Sequence, residues 1–435
     1  MAKSDVTVIG AGLAGCEAAY KIAQSGYTVT LCECKPLTRS PAHHTDTFAE
    51  LVCSNSLKSD EETTAGGALK RELRAAGSLL LAVAQECRVP AGGALAVDRA
   101  LFTQKVTDVI RNHPRIAIEH RVVTDWGSGI TVLATGPLTV GGLADTLKAR
   151  VRALSFYDAA APVVSAESID MQRCFRADRY GKGESDYLNC PLDKDEYTAF
   201  IAALTTAQCA KLHDFEKREI FEGCMPIEIM AKRGEDTVRF GPLRPVGFTD
   251  PHTGKRPYAV VQLRAENSAR TMYNLVGFQT NLTFGEQKRV FSMIPALANA
   301  EFLRYGVMHR NTYLHAPDTL DAYSRLLCAP NVFVAGQLSG VEGYVESMAS
   351  GLMCGINAVR LLRNQPLVIP PETTIIGALM RYLSSPNENF QPMNANFGLL
   401  PPLATHERDK QKRKALYVSR ALADFEEFQK ANDLI

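Results

Sequence analysis

The 435-residue chain has almost no net charge: 48 lysines and arginines against 47 aspartates and glutamates leave +1. Such a balance argues against a general polyanion binder, so any nucleic-acid contact has to come from local patches. Apolar runs of membrane-spanning length are missing too; Leu79, Leu80 and Leu81 are soon interrupted by Gln85 and Glu86. There is no low-complexity block, and 46% hydrophobic with 22% charged residues reads as a globular chain, with two domains expected at this length. A first strand beginning by Val6 leaves no room for a signal peptide, so no membrane association and a cytoplasmic location are expected. The eleven cysteines lack framework spacing, the one tight pair being Cys32 and Cys34 around Glu33. Thiols are therefore expected rather than disulfides, and no zinc-type cluster is apparent.

What is present begins at the N-terminus. Asp5 to Ile9 form a β-branched run, Gly10-Ala11-Gly12-Leu13-Ala14-Gly15 follows, and a helical segment from Ala14 to Gln24 leads through Gly26 to a second strand, Thr28 to Glu33. In this βαβ start Gly10 permits the tight turn, Gly12 lets the backbone approach a pyrophosphate, and Gly15 lets helix and strand pack closely. Glu33 stands where an acid can accept hydrogen bonds from a ribose. The fingerprint predicts a dinucleotide without separating NAD from FAD. Two later pieces add to it: Ile130 to Pro137, a strand ending in Ala134-Thr135-Gly136, and Asn331 to Gln337, a strand ending in Gly336 that runs into a helix marked by Ala349, Leu352, Met353, Ile356 and Val359. Flavoproteins with two dinucleotide-binding domains place these pieces in this order. The expected fold is thus α/β, a Rossmann-like and discontinuous FAD-binding domain over residues 1–186 and 305–435, with an α+β insertion domain at 187–304. Gln337 stands where many such proteins carry Asp.

The insertion is expected to hold a helix from Asp195 to Leu212, then antiparallel strands in VRFGPLRPVGF, YAVVQLRAE and MYNLVGFQTNL. Basic residues such as Lys232, Arg239, Arg244 and Arg264 interleave there with Phe240, Phe248, Tyr258, Tyr273 and Phe278, and Lys410, Lys412, Arg413, Lys414 and Arg420 form a basic helical stretch near the C-terminus. A solvated face is the ordinary explanation; a structured RNA would use the same charges for phosphates and an aromatic ring for an unstacked base. Two cysteines stand apart from apolar periodic segments. Cys53 sits among polar residues in ELVCSNSLKS, and Cys224 lies in a Gly-Cys-Met-Pro turn with Lys217, Arg218, Lys232 and Arg233 nearby in sequence, cations that lower a thiol pKa when close in space.

Together VIGAGLAGCEAA, SPAHHTDTFAELVCSNSLKS, FEGCMPIEIMAKRG and NVFVAGQLSGVEGYVESMASG resemble the folate- and FAD-dependent tRNA (uracil-5-)-methyltransferase family, TrmFO, a relative of the wobble-uridine-modifying flavoproteins. The resemblance spans essentially the whole chain. It implies methylation of C5 of the T-loop uridine of tRNA at the fifty-fourth nucleotide, with 5,10-methylenetetrahydrofolate as carbon donor and FAD, reduced by NADH or NADPH, as the electron source. Uracil C5 is a poor carbon nucleophile, so a thiolate adding to C6 is needed to make C5 an enolate carbon. The resemblance assigns that addition to Cys224, with Cys53 as a second functional thiol on the flavin side, and leaves Glu342, Glu346 and His44 as candidates for the base. It implies cofactor contacts at Gly10, Ala11, Gly12, Leu13, Ala14, Gly15, Glu33, Thr135, Gly136, Gly336 and Gln337. The same chemistry on a ribosomal RNA uridine and a flavin-dependent disulfide or NAD(P)H oxidoreductase are the alternatives. The absence of a short Cys pair after the first βαβ unit counts against the last.

Overall fold

A computed structural model describes residues 4–40, 42–139, 141–179, 185–210 and 225–434. Strand β1 (Val6–Ile9) leads through helix α1 (Leu13–Gln24) to β2 (Val29–Glu33), then come β3 (Ile116–His120), β4 (Thr131–Leu133) and β5 (Ala329–Val334). Their order in the sheet is β5-β4-β1-β2-β3, all parallel, with Arg325–Leu326 antiparallel at the outer edge of β5. From β1 the chain first steps outward to β2 and β3, then returns to the other side for β4 and β5. The crevice at the carboxyl ends of β1 and β4, where the order reverses, is the place where such a sheet takes a ligand.

Helix α2 (Tyr344–Leu362) packs on α1 with almost no side chain between the backbones. A Cβ on Gly351 would stand 2.2 Å from the carbonyl oxygen of Ala14, and one on Gly355 3.0 Å from that of Ala18. The two helices thereby lock the N-terminus of α1 against the sheet. Two buried acids finish neighbouring helices. Glu17 accepts from the amides of Leu79 and Leu80 at 3.0 and 3.1 Å, and Glu72 from those of Ile375 and Ile376 at 2.7 and 2.9 Å, so each carboxylate serves orphan donors at a helix start. Burial nevertheless pushes these carboxyls up, Glu17 to about 7 and Glu72 to about 8. The helix Lys410–Ala431 carries the expected basic stretch and buries Val418, Ala421, Phe425 and Phe428 on its other face.

The second sheet is antiparallel and runs Phe175–Arg176, Leu188–Leu192, Ala259–Ala265, Met272–Leu275, Val163–Ser165, Phe302–Arg304. It draws in two strands that precede residue 187, so the sheet reaches to the N-terminal side of the expected domain boundary. Pairing across the sheet, which no local pattern reveals, recruits Val163–Ser165 between distant partners. Helix Lys194–Thr206 starts on an Asp193–Glu196 capping box and, with Phe284–Phe291, covers a core of Tyr197, Phe200, Phe278 and Phe291. It ends at Thr206, short of Leu212, which lies outside the described residues. The expected strand in VRFGPLRPVGF is not one: Thr237–Phe240 is a single helical turn, and Gly241, Pro242, Pro245 and Gly247 break the segment that follows. Cys190 lies opposite Cys174 inside this sheet, Sγ to Sγ 3.6 Å, as a buried packing thiol.

Candidate functional site

The switch point opens into a groove of about 1300 Å³. Gly10, Ala11, Gly12, Leu13, Ala14, Glu33, Thr135, Gly136, Gly336 and Gln337 all line it, so ten of the eleven residues expected to face a cofactor share one wall. The eleventh, Gly15, packs instead: a Cβ there would meet the Gly10 carbonyl oxygen at 1.8 Å. Gly10 itself has φ +100° and lies against Ala134, which only glycine allows. Helix α1 starts after an N-cap at Gly12 with no side-chain cap and no acid in its first turn, and Gly12, Leu13 and Ala14 of this uncapped end line the groove. Glu33, buried at 6% exposure, holds the glycine loop, accepting from the Ala11 amide at 2.8 Å and from the Lys35 amide at 2.9 Å. These features, uncapped amides, a loop without side chains and an acid at the end of β2, fit a dinucleotide such as FAD. Further along the groove Gly336 donates to Ser350 Oγ at 2.6 Å, and Gln337 Nε2 donates to Glu342 Oε2.

The stretch around Cys53 forms a wall rather than a rim. Tyr344, at the start of α2, lines the groove, and its hydroxyl accepts from the amides of Cys53 at 2.8 Å and Ser54 at 3.2 Å. Burial, then the neighbouring Cys53, hold that phenol well above its ordinary range, so it stays protonated. From the other side the second sheet grips the same residues. Arg264 donates through Nε to Asn55 Oδ1 at 2.9 Å and through Nη2 to Ser54 Oγ at 2.8 Å, and Arg304 Nη2 donates to the Cys53 carbonyl at 3.2 Å. Asn55, fully buried, donates to Val97 and Ala265 carbonyls at 3.0 Å each. Arg99 bridges Leu51 O and Glu266, the latter at 2.9 Å. Ser54 is thus held by the second sheet, and Asn55 ties that sheet to Val97. Burial and the charge of Arg99 push the Arg304 guanidinium below its usual range.

Behind this wall lies a second, smaller cavity of about 330 Å³ lined by Cys53, Ser54, Ala161, Arg264, Asn274, Val276, Gly277 and Gln279. Cys224, with Lys217 and Arg218, lies outside the described residues. The residues that follow it are anchored beside the cavity: Ile227 N donates to Gln279 O at 2.8 Å, and the Glu228 carboxylate accepts from Thr280 Oγ1 at 2.9 Å and Asn281 N at 2.8 Å. Among the candidate bases, Glu342 meets Gln337, Glu346 is buried with Lys58 at 3.3 Å, and His44 is exposed; none of the three lines either cavity. Of the rings expected to stack on a base, Phe248, Tyr273 and Phe278 are core, because they lie on inward-facing positions, while Phe240 is 72% exposed. Sequence reasoning missed Tyr344, Arg304, Asn274 and Gln279, since each acts on residues far away in the chain.

Comparison with known proteins agrees with this geometry. A model of the family described as glucose inhibited division protein A matches residues 5–366. A methylenetetrahydrofolate–tRNA-(uracil-5-)-methyltransferase TrmFO of Desulfitobacterium hafniense is 54% identical over 99% of this chain and 100% of its own. One from Listeria monocytogenes is 53% identical over 97% and 98%. Among solved structures, Aquifex aeolicus GidA superposes with a TM-score of 0.70 at 17% identity, covering 98% of this chain and 74% of that one. This last likeness is one of fold alone.

Proposed function

The chain belongs to the glucose inhibited division protein A family and, within it, to the TrmFO proteins, and from that premise we propose that it methylates C5 of the T-loop uridine of tRNA, the fifty-fourth nucleotide, in the cytoplasm. Methylenetetrahydrofolate is the carbon donor and NADH or NADPH the reductant. One observation carries the reading: the Cys53 segment is a shared wall, with Val52 facing the dinucleotide groove and Cys53 facing a polar cavity. Bound in the groove, FAD would supply the electrons that turn the transferred one-carbon unit into a methyl group.

The chain's own residues do the rest. The glycine loop and the α1 N-terminus hold the pyrophosphate, Glu33 fixes that loop, and Tyr344 ties groove and cysteine segment together. The Cys224 thiolate adds to uracil C6, the C5–C6 π electrons move onto O4, and C5 bonds to the one-carbon unit of the folate; a base then takes the C5 proton as the C–N bond to the folate breaks with its electron pair on nitrogen, and the exocyclic methylene left on C5 gains a hydride equivalent as the thiolate leaves C6. Cys53, which lines the smaller cavity and not the dinucleotide groove, supports this step from that cavity's wall. The disulfide-reductase reading has less behind it. Cys34, at the Glu33 end of the groove, is pushed up to about 11 by burial and then by the Glu33 charge, which disfavours a reactive thiolate.

The test is to incubate the purified protein with methylenetetrahydrofolate, NADPH and unmodified tRNA, then digest the RNA and locate methyl groups by mass spectrometry. 5-Methyluridine at the T-loop position is expected. Its absence there refutes the tRNA reading, and its appearance only on ribosomal RNA would move the substrate.

A further inference from the structure

We propose that the cavity behind Cys53 is the nucleobase subsite and that Asn274 and Gln279 select uracil over cytosine there; the inference rests on the uridine-methylating reading and adds residues to it. A pyrimidine about to receive a thiolate has to lie in a small polar space beside the dinucleotide groove and apart from it. The 330 Å³ cavity has that relation, since Val52 and Tyr344 line the groove while Cys53 and Ser54, next in the chain and hydrogen-bonded to Tyr344, line the cavity.

Its polar groups match the edge of uracil, which offers an acceptor at O4 and a donor at N3, the reverse of cytosine. Asn274, 3% exposed, sends Nδ2 to the Pro162 carbonyl at 3.4 Å, which fixes the amide with its oxygen as the acceptor for N3–H. Gln279 and Arg264 supply donors for O4, and the Arg264 charge stands where the enolate oxygen develops when sulfur adds to C6. Arg264 is itself only 7% exposed and immobilised by Ser54 and Asn55, so it is preorganised for that task. The turn that carries Gln279 is equally fixed: Gly277 has φ +81° and leaves no room for a Cβ against Pro242, at 2.4 Å. The Gln279 carbonyl also anchors Ile227, just after Cys224 in sequence.

The experiment uses the full-length flavoprotein with tRNA transcripts carrying U or C at the target position, comparing wild type, Asn274→Leu and Gln279→Glu. Asn274→Leu removes the acceptor for N3–H, Gln279→Glu replaces a donor to O4 by a group that accepts from the cytosine amino group, and Gln279 is only half-buried, so its variant tests the idea should Asn274→Leu misfold. Protein with the wild-type flavin spectrum is expected to lose at least tenfold of its U-over-C preference in kcat/KM, with KM for methylenetetrahydrofolate unchanged. In parallel, uridine 5′-monophosphate is expected to protect Cys53 from iodoacetamide better than cytidine 5′-monophosphate, and the variants to lose that difference. An unchanged preference in both variants overturns the proposal, as does a change confined to the folate KM, which would give the cavity to folate. Nucleotide-selective protection without any methyl transfer by the wild type would uphold the subsite and refute the reaction.

Discussion

Replacing Tyr344 by Phe removes one oxygen and leaves the ring that lines the groove. That oxygen is the acceptor for two backbone amides, Cys53 N at 2.8 Å and Ser54 N at 3.2 Å. A buried donor left without an acceptor costs about 1–3 kcal/mol, and the half-buried position of Cys53 lets water serve one of the two amides, so one such penalty is the reasonable charge. At 1.4 kcal/mol per factor of ten, the displaced form of the cysteine segment becomes roughly 5- to 150-fold more populated. The segment keeps its other holds, Arg264 on Ser54 and Asn55 and Arg304 on the Cys53 carbonyl, so the domain stays folded while the thiol moves. Timed iodoacetamide labelling, read at the Cys53 peptide by mass spectrometry, measures this opening directly. Labelling should accelerate by a factor in that range, methyl transfer should fall with it, and flavin content should remain. A Tyr344→Phe protein that labels within twofold of wild type would refute the role given to the hydroxyl.

Further outcomes follow from the same structure. Gly351→Ala places a methyl 2.2 Å from the Ala14 carbonyl oxygen and forces α1 and α2 apart by more than an ångström, whereas Gly355→Ala meets Ala18 at 3.0 Å and needs only a few tenths. Overpacking of this kind costs about 1–3 kcal/mol; FAD retention on a desalting column and Tm should fall in the order wild type, Gly355→Ala, Gly351→Ala, and equal behaviour of the two variants would contradict the helix contact. Glu72 has its carboxyl raised from 4.5 to about 8 by burial, so its protonated form is favoured by folding. Its share of stability is full below the unfolded value and is lost as pH rises through about 8; Glu72→Gln should therefore flatten the fall of Tm across that window, and parallel Tm profiles would argue against it.

The groove was legible because its residues are local. Gly10, Gly12, Gly15 and Glu33 sit within one βαβ unit whose spacing states the geometry, and Thr135, Gly136, Gly336 and Gln337 each end a strand of the same parallel sheet. The second cavity was illegible for the opposite reason. Cys53 comes from the first third of the chain, Arg264 and Asn274 from the antiparallel sheet and Gln279 from the turn after its Met272–Leu275 strand, and their meeting depends on tertiary pairing that periodicity does not encode. Arg264 illustrates the point: in sequence it is one more charge on an alternating strand, yet the fold turns it inward to hold Asn55. Alternation failed as well in VRFGPLRPVGF, where two prolines and two glycines outweigh the apolar pattern.

The charge arrangement on the shared wall has a consequence of its own. Arg99, Arg264 and Arg304 converge on Leu51 to Asn55, and Glu266 is the acid that meets them, pairing with Arg99 at 2.9 Å. Burying guanidiniums here is costly, as the depressed Arg304 shows, and among the described residues Glu266 is the carboxylate paired with them; packing alone would be served better by apolar residues. The excess of positive charge favours an anion at this wall, and the proposed reaction creates one there when uracil takes up a thiolate and its O4 becomes an enolate oxygen. The arginines also come from separate elements, since Arg99 opens the helix Arg99–Arg111 that leads to β3 of the parallel sheet whereas Arg264 and Arg304 belong to the antiparallel one. Their carbonyl and side-chain contacts therefore fix the cysteine segment between the place where a dinucleotide lies and the cavity proposed for the base.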